Sequence, residues 1–261
     1  MADSLKPVVG ATPEGATPEG AQDRQQAAAA VRDMVTSIAP RYDLLNHLLS
    51  FNIDRLWWRR AAHTFRHILQ RPGARALDLC CGTGDMAFAL ARVARKSVAQ
   101  VSAPCIFGVD FSHAMLVRAV QKSRGSSLRW LEADALRLPV PNASFDLVTS
   151  AFGFRNLADY DAGLREIFRV LRPGGEVGIL DFGEPAGLIG RLYRLYFKRV
   201  LPAVGTVISG VKGPYAYLPA LVERFPSPGE MLNRMRSAGF GDVSWTPYTF
   251  GIAGLYRGKK S

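Results

Sequence analysis

The feature that most constrains the fold is an apolar strand that runs into a glycine loop and then directly into a helix. The strand covers residues 76–79, the loop contains Gly82, Thr83 and Gly84, and residues 86–91 continue as an apolar helix. Glycine lets the backbone approach a ligand closely, and the first N–H groups of a helix are unpaired donors. This stretch therefore predicts a small-molecule site at the start of the helix.

Two classes of ligand are compatible with this loop. Residues 82–87 match the G-x-G-x-x-A pattern of dinucleotide sites, and Asp110 lies where their ribose-binding acid is expected. The flanking carboxylates of Asp78 and Asp85 instead suit a ligand that carries an ammonium and a sulfonium, and they would repel a pyrophosphate. The residues favour S-adenosylmethionine and leave a nicotinamide cofactor as the alternative.

Acidic residues also follow the neighbouring strands. Asp110 ends one predicted strand, and Asp134 follows the next, where it can accept a hydrogen bond from an adenine amino group. In a parallel sheet, ligands bind beyond the carboxyl ends of the strands. We therefore expect Asp78, Asp110, Asp134 and the loop at 152–156 to form one composite site.

Strands and helices alternate from residue 75 onward. The predicted strands are 75–79, 105–110, 128–132, 145–151 and 176–182, and the predicted helices are 84–96, 112–123 and 159–171. Such alternation predicts an α/β fold with a mostly parallel sheet covered by helices on both faces. Two apolar stretches near 240–245 and 248–256, with Pro247 between them, predict a C-terminal antiparallel hairpin.

The chain divides into a tail and one domain. Residues 1–26 contain Ala-Thr-Pro-Glu-Gly twice in tandem, and this composition predicts a disordered, low-complexity tail. The domain then covers residues 27–261. Within it, residues 27–70 are predicted to form a helical cap rich in Trp, Tyr and Arg, and residues 186–226 a lid or membrane-facing insertion.

The segment at 186–199 is apolar but strongly basic. Arg191, Arg194 and Lys198 share one helical face, and these three charges together with Arg199 argue against a membrane span. The segment fits a helix on an anionic membrane surface, and it equally fits a lid helix packed on its own domain.

Composition narrows the partners and the compartment. The formal net charge of +11 favours anionic partners, although a solvated basic surface would explain it equally well. A nucleic-acid methyltransferase is not favoured, because the basic residues are scattered and no RNA-binding module is visible. The spacing of Cys80, Cys81 and Cys105 suggests neither a disulfide framework nor a metal site, and with no signal peptide visible it favours a cytoplasmic location.

Several separated blocks resemble the ubiquinone/menaquinone biosynthesis C-methyltransferase family. Residues 42–57 are similar to its N-terminal signature, 82–85 to its Gly-Thr-Gly-Asp, 152–156 to its Phe-Gly-x-Arg-Asn, and 169–175 to a signature that recurs in many methyltransferases. The resemblance runs from about residue 40 to the C-terminus. It implies a Rossmann-like, seven-stranded class I methyltransferase fold and S-adenosylmethionine as cofactor.

The resemblance also assigns cofactor residues. Thr83, Asp110, Asp134 and Ala135 match the family's cofactor-binding positions, and they join Asp78, Gly82 and Gly84 from the loop itself. Some members have a cofactor-contacting serine before the Phe-Gly-x-Arg-Asn block, where this chain has Ala151. That difference favours the branch that converts demethylmenaquinol to menaquinol. Methylation of the benzoquinol of ubiquinone synthesis, or of both quinols, stays open.

The expected reaction is methylation of a ring carbon of a reduced polyprenyl quinone. Arg155 and Asn156 are the candidates to stabilise the phenolate, and Tyr42 is a weaker candidate to line the same opening. The isoprenoid tail would stay in the bilayer, which suggests peripheral contact with an anionic membrane at its cytoplasmic face. A homodimer, a small-molecule O- or N-methyltransferase and a non-catalytic scaffold are further alternatives.

Overall fold

The computed structural model describes four long stretches of the chain and a few isolated positions. These are residues 52–95, 104–124, 126–183 and 225–261, with 15–16, 26, 29–33, 36, 185, 187, 190 and 195. Tyr42 and almost all of the predicted insertion at 186–226 lie outside the described residues. Residues 29–33 are helical, within the stretch predicted to be a helical cap.

A seven-stranded sheet forms the centre of the protein. Its strands are β1 (Arg75–Leu79), β2 (Cys105–Asp110), β3 (Arg129–Glu132), β4 (Phe145–Ala151), β5 (Leu171–Phe182), β6 (Phe240–Tyr248) and β7 (Ala253–Lys260). The order is β3-β2-β1-β4-β5-β7-β6. β7 runs antiparallel to both of its neighbours, and the other neighbouring pairs are parallel. The predicted fold class and closing hairpin are confirmed.

Helices cover both faces of this sheet. They are α1 (Ile53–Thr64), α2 (Arg66–Leu69), α3 (Asp85–Ala94), α4 (His113–Lys122), α5 (Tyr160–Val170) and α6 (Pro228–Ser237). One core packs α1 and α3 on the sheet through residues such as Trp57, Phe65 and Leu90. The other core packs α5 and α6 through Leu164 and Met231. Burial on both faces explains why the central strands are almost continuously apolar.

Two details of the predicted strands are wrong. Pro247 does not separate the closing strands but lies inside β6, paired with Gly254, because β6 is an edge strand that needs no second ladder of hydrogen bonds. The Pro-Gly-Gly at 173–175 does not precede β5 but lies within it, as an irregularity where pairing with β4 shifts register.

The predicted N-terminal tail contacts the domain at residues 15 and 16. The Ala16 amide donates to the carbonyl oxygen of Leu157 at 2.7 Å. Ala16 and Val31 are buried together beside Phe111. Gly15 passes so close to Ala158 that a Cβ there would lie 2.1 Å from its carbonyl oxygen. The chain is therefore packed at this point, and disorder of the remaining tail stays a prediction.

Candidate functional site

The glycine loop is held by the carboxylate at the end of β2. The Gly82 amide donates to Asp110 Oδ2 at 2.8 Å, and the Ser112 amide donates to Oδ1 at 2.9 Å. Burial raises the pKa of Asp110, and backbone N–H donors from Ser112, Gly82 and Phe111 oppose that rise. Asp110 therefore organises the loop, and a carboxylate still has lone pairs for further donors.

Gly84 is required for two local reasons. Its φ is +91°, in the left-handed region that side chains rarely adopt. A Cβ at this position would also lie 2.4 Å from the indole ring of Trp130, which fills the space beneath the loop. The second glycine therefore allows the chain to pass over Trp130 and begin α3.

Asp78 lies fully buried beneath the same loop, at 0% exposure. Thr149 Oγ1 donates to its Oδ1 at 3.0 Å, and its Oδ2 has no hydrogen-bond partner among the described residues. Burial, reinforced by the nearby charges of Asp110 and Asp85, raises the pKa of Asp78 to about 8. At neutral pH the carboxyl group therefore holds its proton in the absence of a cationic partner.

The third loop acid is neutralised from within the protein. Lys122 Nζ donates to Asp85 Oδ1 at 2.8 Å and to Thr83 Oγ1 at 3.0 Å. The sequence argument counted Asp85 as an uncompensated charge, and this ion pair corrects it. The hydroxyl of Thr83 belongs to the same cluster, because it also donates to Asp85 Oδ2 at 3.3 Å.

Asp134 and Ala135 lie beyond β3, next to the end of β2. The Ala133 amide donates to the carbonyl oxygen of Asp110 at 3.1 Å, which joins the two strand ends. Asp134 is exposed, and its Oδ1 accepts from the Leu136 amide at 2.9 Å, whereas Ala135 is buried. The three acids Asp78, Asp110 and Asp134 therefore lie at or just beyond the carboxyl ends of the neighbouring strands β1, β2 and β3.

A buried ion pair occupies the other end of the site, between β4 and β5. Arg155 Nη1 donates to Asp181 Oδ1 at 2.6 Å, and both side chains are almost fully buried, at 6% and 0% exposure. Asp181 also accepts from the backbone amides of Arg155 and Phe182. The Nε of Arg155 is buried and has no hydrogen-bond partner among the described residues.

Aromatic rings surround this guanidinium. The Arg155 Cζ lies 4.8 Å from the centre of the Phe182 ring and 5.8 Å from that of Phe152. Those rings contact each other at 4.7 Å, and Trp57 from α1 packs against both. The surroundings are therefore apolar, and electrostatic interactions with the guanidinium are stronger there than in water.

The two halves of the site are in contact. A Cβ on Gly153 would lie 2.4 Å from the Cβ of Cys80, so the glycine of the Phe-Gly-x-Arg-Asn block packs directly on the loop after β1. Cys80 itself has a φ of +54°. Asn156 follows in a short 3₁₀ turn, half-buried, with its amide bonded to the Gly153 carbonyl.

Comparison with known proteins identifies the family. The model of the ubiE/COQ5 methyltransferase family matches residues 21–260. This chain belongs to the ubiE/COQ5 methyltransferase family. It is 48% identical over 241 residues to the demethylmenaquinone methyltransferase of Deinococcus radiodurans, covering 91% of this chain and 95% of that protein. It is 45% identical over 235 residues to a Geobacter sulfurreducens protein named ubiquinone/menaquinone biosynthesis C-methyltransferase, covering 88% of each.

Solved structures support the fold of this family member. A methyltransferase from Thermotoga maritima, described as a possible histamine N-methyltransferase, is 19% identical with a TM-score of 0.60, covering 88% of this chain and 100% of that one. At this identity the likeness concerns the fold alone. The family and its relatives make this ubiE/COQ5 protein an S-adenosylmethionine-dependent methyltransferase.

Sequence reasoning missed two charged residues of the methyltransferase site. Asp181 had a recognisable signal, because it ends a predicted strand just as Asp110 does. Lys122 had no recognisable signal in the sequence. It is the last residue of α4, and it contacts Asp85 at the start of α3 only because the fold brings these two helix ends together.

Proposed function

We propose that the protein transfers a methyl group from S-adenosylmethionine to a ring carbon of a reduced polyprenyl quinone, with demethylmenaquinol as the preferred acceptor. The observation that carries the proposal is the pairing of an acid-rich loop on β1 and β2 with a guanidinium in an aromatic enclosure on β4 and β5. The first half suits a cation, and the second suits an electron-rich aromatic anion.

The first half fits S-adenosylmethionine chemically. Oδ2 of Asp78 is a buried acceptor without a partner among the described residues, and Asp110 has lone pairs left after binding the loop amides. Asp110 would hold the ribose hydroxyls, Asp134 and Ala135 the adenine, and the loop at residues 82–84, with Asp78 beneath it, would enclose the methionine moiety. When bound, S-adenosylmethionine supplies an electrophilic methyl group on a sulfonium.

The second half would stabilise charge on the acceptor. A neutral ring carbon is a weak nucleophile, and removing the proton of the neighbouring hydroxyl makes it a strong one. Arg155 stabilises the resulting phenolate through its remaining N–H donors, and Asn156 adds a neutral donor. The aromatic rings of Phe152 and Phe182 exclude water and offer a surface for stacking.

Arg155 is not the base in this scheme. A guanidinium keeps its proton throughout the accessible pH range, and here it is paired with the Asp181 carboxylate. Both carboxylate oxygens of Asp181 already accept hydrogen bonds, so that residue positions Arg155 and does not touch the acceptor. A water molecule oriented by Arg155 receives the hydroxyl proton. After methyl transfer the methylated ring carbon loses its hydrogen as a proton and the oxygen regains one, which restores the aromatic quinol. Tyr42 would line the opening.

The choice of ring follows from the relatives. The Deinococcus relative is named a demethylmenaquinone methyltransferase, whereas the Geobacter relative is named for both quinone types. Ala151, where some members have a cofactor-contacting serine, favours the naphthoquinol. The benzoquinol is the second candidate because one name covers both reactions.

A polyprenyl acceptor requires access to a membrane. No helix in the described part of the chain is long and apolar enough to cross a bilayer. Leu195, one of the few described positions of the segment at 186–199, is 52% exposed, so an apolar side chain of this segment faces solvent. The protein would therefore work at the inner face of the cytoplasmic membrane.

The test is a methyl-transfer assay with labelled S-adenosylmethionine and short-tailed demethylated naphthoquinol and benzoquinol. We expect label in the naphthoquinol, with less or none in the benzoquinol. Arg155→Gln should abolish most turnover while cofactor affinity is retained. Label in neither quinol, with cofactor bound normally, would refute the proposed acceptor, and no cofactor binding would support a scaffold.

A further inference from the structure

The turn between β6 and β7 holds an aromatic side chain in solvent. Phe250 is 77% exposed, the highest value among the large apolar residues of the described chain. Its backbone has a φ of 58° and a ψ of 20°, a left-handed conformation that bulky residues seldom adopt. The strained backbone of this turn therefore holds the Phe250 ring in solvent, and no packing interaction compensates for the strain in the described chain.

Helix α1 lies directly beside this turn. Trp57 Nε1 donates to Thr249 Oγ1 at 2.8 Å, and the Arg60 guanidinium stacks 4.5 Å from the centre of the Tyr248 ring. Leu56 is on the same helical face as Arg60, four residues earlier, and it is 58% exposed. Two exposed apolar side chains therefore flank one junction between α1 and the turn.

The charge around these side chains has one sign. The exposed residues of α1 include Arg55, Arg59 and Arg60, and its single acid, Asp54, is buried. The turn at 249–252 contributes no charge. A surface that combines exposed apolar side chains with the exposed arginines of α1 matches the interface of an anionic bilayer.

This surface lies at the same edge of the sheet as the site. β7 pairs with β5 so that Ala253 lies opposite Phe182, and the Gly183 amide donates to the Ile252 carbonyl at 3.0 Å. Trp57 joins the two regions, because its ring packs on Phe152 and Phe182 while its N–H binds the turn. A membrane bound here would face the opening of the acceptor half.

We propose that Phe250 and Leu56 insert into an anionic lipid bilayer while Arg55 and Arg59 bind its headgroups, so that the acceptor half of the site opens onto the membrane. This inference rests on the proposed function for its purpose, since a polyprenyl acceptor lies in the bilayer. It does not rest on the segment at 186–199, which lies almost wholly outside the described residues.

The experiment measures binding of the full chain to vesicles of phosphatidylcholine with and without phosphatidylglycerol. Phe250→Asn together with Leu56→Gln should lower the partition coefficient about tenfold or more, because burial of each side chain in hydrocarbon is lost. Asparagine tolerates the left-handed φ, so the turn is kept. Arg55→Glu with Arg59→Glu should lower binding about tenfold or more on anionic vesicles only, and high salt should remove the difference.

Matched controls come from α3, α4 and the residues after α4, outside the surface formed by α1 and the turn at 249–252. Val120→Asn removes an apolar side chain that is 52% exposed on α4, and Arg92→Glu with Arg124→Glu reverses two exposed charges. These variants should bind vesicles like the unmodified protein to within about twofold if the surface is specific.

Turnover separates this inference from the proposed function. On a short-tailed quinol in solution all of these variants should keep full activity, and only the Phe250/Leu56 and Arg55/Arg59 variants should lose turnover of a long-tailed quinol in vesicles. Equal vesicle binding by all variants would overturn the docking surface. It would also be overturned if the Phe250/Leu56 variant changed the oligomeric state of the protein and left vesicle binding unchanged. Docking that depends on Phe250 without methylation of any quinol would refute the function and leave the surface standing.

Discussion

The two halves of the site treat buried charge in opposite ways. Beneath the glycine loop, Asp78 and Asp110 are buried with hydrogen-bond donors but without a buried cation beside them among the described residues, and their pKa values rise. Between β4 and β5, Arg155 and Asp181 neutralise each other. The first half therefore gains free energy when a cation arrives, whereas the second is already balanced.

The difference teaches what each half is built to do. A buried acid that holds its proton in the empty site ionises when a cationic ligand binds beside it, so binding and ionisation are coupled. A site that stabilises a transient anion needs its hydrogen-bond donor oriented beforehand. The Asp181 carboxylate orients Arg155 in this way, although its negative charge weakens the positive potential of the guanidinium.

The largest expected effect comes from breaking the balanced pair. Arg155→Met leaves Asp181 buried without its cation, and we expect the free energy of unfolding to fall by about 3–5 kcal/mol. The double variant Arg155→Met/Asp181→Asn removes both charges and should recover most of that loss. Chemical denaturation of the two single variants and the double variant gives the coupling energy. Additive losses would show that the two charges do not balance each other.

The second effect concerns Asp78 and has a definite pH dependence. The folded protein keeps this proton up to about pH 8, while the unfolded chain releases it near about pH 4. Between those values the folded state binds more protons, so the free energy of unfolding declines as pH rises. Without cofactor, Asp78→Asn should remove this decline, which we place at about 2–5 kcal/mol over the window.

An exposed acid serves as the matched control for this measurement. Asp242→Asn changes the same group on the surface of β6 and should leave the pH dependence as it is. Denaturant titrations from pH 5 to 8 compare the three proteins. Parallel curves for Asp78→Asn and the unmodified chain would place the raised pKa elsewhere.

The contrast also explains what could be predicted from sequence. The cofactor half is encoded locally: Asp78, Gly82 and Gly84 lie within seven residues, and Asp110 ends the next strand. Strand alternation then placed Asp134 and the loop at 152–156 at the same edge, and the seven-stranded fold followed the resemblance. Local spacing was sufficient for this half because one strand–loop–helix unit builds most of it.

The acceptor half depends on pairing between distant segments. Arg155 was recognised by its motif, but its partner Asp181 comes from the next strand, and only the sheet order brings them together. Lys122 and Trp57 reach the site through helix packing, which periodicity does not specify. Pro247 shows the same limit, since a proline can mark a turn or an edge strand and the sheet order decides between them.

The contact between the two halves gives a third, smaller effect. Gly153→Ala places a Cβ 2.4 Å from that of Cys80, and the φ of Gly153 is −108°, so strain comes from packing alone. We expect a loss of about 1–3 kcal/mol in the free energy of unfolding. Cys80→Gly removes the nearest obstructing atom at a residue with φ of +54° and should recover part of this loss, because the Cys80 carbonyl oxygen still lies 2.9 Å from the new Cβ. Gly229→Ala, with open space around it, is the control, and an equal loss in the Cys80→Gly background would contradict the contact.

The smallest effect tests whether the loop favours positive charge. Lys122 pairs with Asp85 at 31% and 23% exposure, so Lys122→Met should cost at most about 1 kcal/mol of stability. Because it makes the loop more negative, it should raise affinity for S-adenosylmethionine relative to the uncharged sulfur of S-adenosylhomocysteine by about threefold at low salt. Calorimetric titration of both ligands measures that ratio, with Arg124→Met as the control for an exposed cation nearby. An unchanged affinity ratio, or one that moves toward S-adenosylhomocysteine, would mean that the cofactor half recognises shape and hydrogen bonds and does not use the sulfonium charge. The cofactor half would then not be a site for positive charge, and it would not differ from the acceptor half in the way described.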